Sequence, residues 1–134
     1  MQEARYTILV PQTDDIGNAL KDLSGYVRTS LEKALPRATV WQEGSRSKGF
    51  ESYGTVVLIA PETPEVDSHV KQMAHYVGEA ANRWGVTCFK EGKQGIKTWQ
   101  IQNASYRADE PADPIAIADP MNQQATGPAD AAAL

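Results

Sequence analysis

The chain has 134 residues, 41% of them apolar and 22% charged, which is the size and composition of one globular domain and excludes a multidomain enzyme. The net charge of −4 is unevenly placed: residues 108–134 carry five acids and no Lys or Arg, whereas the preceding 107 residues hold all 13 basic residues and 12 acids, a near-neutral +1. A body without a concentrated basic face or a polybasic run is not expected to bind nucleic acid generally or an anionic membrane surface.

The longest apolar run, Val56-Val57-Leu58-Ile59-Ala60, is too short to span a bilayer, and the N-terminus does not read as a secretory signal. The one cysteine, Cys88, cannot form an intrachain disulfide, which fits a reducing cytoplasm.

In chain order, Tyr6 to Val10 is rich in β-branched and aromatic residues and reads as a strand stopped by Pro11. Asp14, Asp15 and Gly17 supply turn and cap chemistry. Ile16, Leu20, Leu23, Val27, Leu31 and Ala34 then keep to one helical stripe, weakened at Gly25 and ended by Pro36. Thr39 to Glu43 is a short strand, Gly44 to Gly54 a loop, and Thr55 to Ala60 a central strand. Thr63-Pro64 opens a second helix with Glu65 and Asp67 in its first turn; its stripe runs from Val66 to Trp84, and Gly85 closes it. Val86 to Lys90, a turn at Gly92-Lys93-Gln94-Gly95, and Ile96 to Ile101 form a last hairpin.

This order, β-α-β-β-α-β with an added C-terminal hairpin strand, predicts an α+β ferredoxin-like sandwich over residues 1–107. Residues 108–134 form an irregular, acidic Ala/Pro-rich tail or arm. Two helices cover one sheet face, yet the strands are apolar on both. Leu9, Trp41, Val57, Ile59 and Phe89 on the second face therefore predict an interface, and with it a homo-oligomer. The tail is a candidate arm for a protein partner.

Chemistry is thinly marked. His69 and His75 stand six positions apart on the second helix, too far around its axis to share a metal, and no zinc or calcium spacing occurs. Cys88 lies mid-strand, where a thiol is inert; as a nucleophile it would need His69 as base. Glycines around Arg46 and Lys48 suit an anion, with Asp14 and Asp15 at the same end of the sheet, although the order is not that of a P-loop. Trp84 reads as core, Trp41 and Trp99 as platforms or interface anchors. No catalytic constellation, metal or cofactor is expected. The pattern points to a non-enzymatic assembly or partner-binding protein of phage or mobile-element type. A small-ligand or nucleotide binder using the Gly44–Gly49 loop is the alternative, and a small enzyme using His69 a further one.

Overall fold

Period-two alternation builds the sheet. In the computed structural model, which describes residues 2–14, 17–48 and 51–107, strand β1 (Glu3–Pro11) buries Ala4, Tyr6, Ile8 and Val10 on one face. Val56, Leu58 and Ala60 of β3 (Glu51–Pro61) and Val86 and Cys88 of β4 (Gly85–Gly92) join them in a single core. Helices α1 (Leu23–Ala34) and α2 (Pro64–Ala80) close that core with Leu23, Val27 and Leu31 from one and Val66, Val70, Ala74 and Val77 from the other. With β2 (Thr39–Lys48) and β5 (Gly95–Gln102) at the edges, the sheet runs β2-β3-β1-β4-β5, antiparallel throughout. The protein is an α+β fold, and nothing in this strand order conflicts with the ferredoxin-like expectation.

Local bonding moves several boundaries. The first helix begins at Leu23, not near residue 16, because Asp22 caps it by accepting the Gly25 N–H at 3.2 Å. The backbone before the cap is committed elsewhere: Leu20 N–H bonds to Gln12 O at 2.9 Å, and the buried Asp14 carboxylate accepts Asn18 N–H at 2.7 Å. The stretch expected as a loop from Gly44 to Gly54 is largely strand, since β2 and β3 continue pairing through Arg46↔Tyr53, Ser47↔Ser52 and Lys48↔Glu51. A register shift between Glu43 and Arg46 absorbs the misfit. The second helix stops at Ala80, and Asn82 takes a φ of 46°, so Trp84 falls beyond the helix and is 57% exposed instead of core.

No described element packs on the second sheet face. Val57 is fully buried there by its own neighbours, Trp41 across one strand pair and Thr7 across the other, so it needs no external cover. Leu9, Trp41, Ile59 and Phe89 around it are half-buried. No helix among the described residues is long and apolar enough to cross a membrane.

Candidate functional site

The segment from Pro61 to Asp67, which turns β3 into α2, has chemistry on both sides. Thr63 caps the helix by accepting Val66 N–H at 3.2 Å, and Pro64 sets the first turn. Glu62 before the cap and Asp67 after it reach toward β4 and meet Lys90. The Lys90 Nζ lies 2.9 Å from Asp67 Oδ2 and 3.1 Å from Glu62 Oε2, and Lys90 is only 6% exposed. The Tyr6 hydroxyl donates to Asp67 Oδ1 at 2.6 Å, and the Lys90 ammonium stands 5.7 Å from the Tyr6 ring and 5.9 Å from that of Trp99. Lys71 covers Trp99 at 4.5 Å.

These groups tune one another. Burial disfavours the Asp67 carboxylate, but hydrogen bonds from Tyr6 and Lys90 and the charges of Lys90 and Lys71 outweigh it and hold its pKa below the ordinary value. Glu62 is likewise lowered, chiefly by the Lys90 hydrogen bond. Burial lowers and the two carboxylate hydrogen bonds raise Lys90, with a net rise. Tyr6 is pushed well up by burial and by its bond to Asp67, so it stays a neutral donor.

On the other side of the same segment, a cleft of about 390 Å³ opens between the end of α1 and the start of α2. Leu35, Pro36, Ala38, Ala60, Pro61 and Val66 make its walls apolar, while Arg37, Thr63 and Glu65 supply polar groups. A second cleft of about 270 Å³ at the opposite end of α1 includes Gln12, Asp22, Gln42 and Glu43. Its polar groups are already engaged: Asp22 caps α1, Glu43 pairs with Arg5 at 3.3 Å, Gln42 accepts from Arg28 at 3.1 Å, and Gln12 accepts from the Ser52 hydroxyl. An apolar cavity with a few convergent polar groups beside residues of shifted pKa is the stronger candidate.

The residues singled out in the sequence lie elsewhere. Asp14 is consumed in its turn, Asp15 and the tail from residue 108 fall outside the described residues, and so do the side chains of Arg46 and Lys48. The basic stretch from Lys90 to Lys97 sits at the end of the sheet away from the β2–β3 hairpin, as the alternating strand directions required. Burial pushes the Cys88 thiol up to about 12, which suits an inert core residue. His69 is half-buried, and His75 lies 3.1 Å from Glu79. No three His, Cys, Asp or Glu residues converge as metal ligands among the described residues. Sequence reasoning missed Lys90, although its place in phase with Val86 and Cys88 marked it as inward-facing and in need of anions.

The sequence matches no protein family and no curated protein. The fold does have solved counterparts. A phage SAM lyase in its apo state superposes with a TM-score of 0.52 at 14% identity, over 79% of this chain and 94% of the other. A phage SAM lyase bound to S-methyl-5′-thioadenosine gives 0.52 at 13%, over 78% and 93%. At such identity the likeness is one of fold. Both counterparts are phage enzymes, which overturns the expectation of a non-enzymatic assembly protein.

Proposed function

We propose that this protein is a small-molecule-processing enzyme whose substrate is a sulfonium nucleoside of the SAM type, bound in the cleft between α1 and α2. The observation that carries this reading is the cleft itself. Its volume of about 390 Å³ lies within the size range of small-ligand sites, its walls are apolar, and one cation and one anion, Arg37 and Glu65, line it. The fold counterparts supply the reaction class, a lyase, and a ligand, S-methyl-5′-thioadenosine.

The chemistry suits such a site. When the bond between sulfur and the amino-acid arm of SAM breaks, both electrons stay on sulfur and the neutral thioether S-methyl-5′-thioadenosine departs. The carbon left behind is relieved within the substrate by attack of the arm's own carboxylate, which closes a lactone ring as the carbon–sulfur bond breaks. Positive charge on sulfur disappears along this path. Apolar walls that exclude water disfavour the separated charges of the substrate more than the dispersed charge of the transition state. The Lys90–Asp67–Glu62 cluster fixes the segment that forms one wall of the cleft.

A reducing cytoplasm fits this reading, with Cys88 buried and free. So does a homo-oligomer joined through the open sheet face, where Arg5 and Glu43 present both signs of charge to a second copy. Incubating the purified protein with SAM and separating the products by liquid chromatography tests the activity. S-methyl-5′-thioadenosine should accumulate with time and protein concentration. Absence of product, together with no calorimetric binding of SAM, would rule the reading out.

A further inference from the structure

Among the described residues, the side chains of Arg37 and Glu65 make no hydrogen bond or ion pair. Several other charges of the fold are engaged: Arg5 with Glu43, Arg28 with Glu32 at 2.5 Å, Arg83 with Thr13 O at 2.9 Å, and Lys90 with Asp67. Arg37 and Glu65 line one cleft, which sets them apart from the other charges. Arg37 follows Pro36 in the turn after α1, a turn closed by the Ala38 N–H bonding to Leu35 O at 3.0 Å. Glu65 rides on the first turn of α2, immediately after Pro64. Both are therefore held by fixed backbone while their side chains remain exposed.

This placement selects among ligands. A simple anion is disfavoured, because Glu65 and Asp67 already occupy the α2 N-terminus, where a helix would otherwise attract negative charge. A simple cation is disfavoured by Arg37. A ligand with an apolar body and both charges on one end satisfies everything on display. The planar guanidinium, with five donors, matches a carboxylate in two parallel bonds, and a carboxylate side chain accepts from an ammonium.

We propose that Arg37 and Glu65 are the specificity residues of this cleft: Arg37 receives the carboxylate and Glu65 the ammonium of the amino-acid arm of the nucleoside, whose remainder lies against the apolar walls. The assignment rests on the functional reading given above and adds to it the part of the substrate that is recognised. It also separates substrate from product, since S-methyl-5′-thioadenosine carries no arm and escapes both contacts.

Calorimetric titration of the full chain with two probes decides it. S-adenosylhomocysteine keeps the arm but has an unreactive neutral sulfur; S-methyl-5′-thioadenosine lacks the arm. Arg37→Gln and Glu65→Gln should each weaken S-adenosylhomocysteine by about tenfold, the worth of a charge-assisted hydrogen bond. Each should leave S-methyl-5′-thioadenosine within about twofold. Circular dichroism should show both exposed-site variants folded. Equal losses for the two probes would overturn the arm assignment while the cleft remained the binding site, and no loss for either would overturn the assignment and the cleft together. A wild-type protein that binds neither probe would overturn the assignment and the functional reading together.

Discussion

Lys90 illustrates what one buried charge does and how it is legible. Val86, Cys88 and Lys90 share the inner face of β4, so the alternation of the strand alone demanded anions for the third of them; which anions was decided by the turn of the chain into α2. Asp67 had a simpler explanation, as a first-turn acid on a helix, and that explanation hid its pairing. The pH consequence has a definite sign. Asp67 is lowered in the folded state, so its contribution is present above the ordinary carboxylate pKa and disappears as pH falls through the folded value. Lys90 is raised, so its contribution is present below the ordinary lysine pKa and disappears as pH rises through the folded one. Asp67→Asn keeps an acceptor for Tyr6 and removes only the charge. Breaking a well-buried pair costs about 3–5 kcal/mol, and the 26% exposure of the Asp67 side chain brings the expected loss down to about 2 kcal/mol at neutral pH. Urea unfolding should show that gap at pH 7 and a narrower one at about pH 3, below the ordinary carboxylate value. A gap of equal size at both would mean the charge is irrelevant.

At the scale of elements, the sequence misled wherever a local rule met a longer-range bond. Gly25 looked like a weakness within a helix, yet it is where the helix starts, and a Cβ there would overlap the Asp22 carboxylate that caps it. Gly44 to Gly54 looked like a loop by composition, yet pairing with the neighbouring strand carries β2 and β3 through most of it. Gly54 shows why glycine is needed in a strand: its partner in β1 is Val10, and a Cβ would collide with the Ser24 hydroxyl on α1. Gly54→Ala should therefore press α1 away from β3 and destabilise the fold by about 1–3 kcal/mol. Adding Ser24→Ala or Ser24→Gly should recover part of that loss, because the overlap involves the hydroxyl first and the Ser24 Cβ less. Thermal unfolding of the two singles and the double closes the cycle. Strict additivity would show that the loss comes from strand backbone freedom and not from the helix–strand contact.

At the scale of the molecule, the element order was legible because alternation and helical stripes are written in adjacent residues. The cleft was not, because its walls come from residues 34–38 and 60–66, which only the packing of α1 against α2 brings together. The open sheet face was legible in part: β1 and β3 are apolar on both sides, but the sequence did not say that Val57 is buried within one copy. What remains half-exposed is a ring of Leu9, Trp41, Ile59 and Phe89, with the Thr55 hydroxyl buried beneath it and lacking a hydrogen-bond partner among the described residues. A second copy laid on this ring removes apolar surface from water, and the Arg5–Glu43 pair at its edge carries both signs of charge. Ile59 is the position to probe. It pairs with Arg5 across the strand, so Ile59→Lys sets two like charges side by side at the contact while leaving the helix-side core untouched. Light scattering of the wild type at micromolar concentration should give a dimer or larger, and of the variant a monomer with the same helical circular dichroism. A wild type that is already monomeric, or a variant that assembles as well as the wild type, would remove this face from any role in assembly.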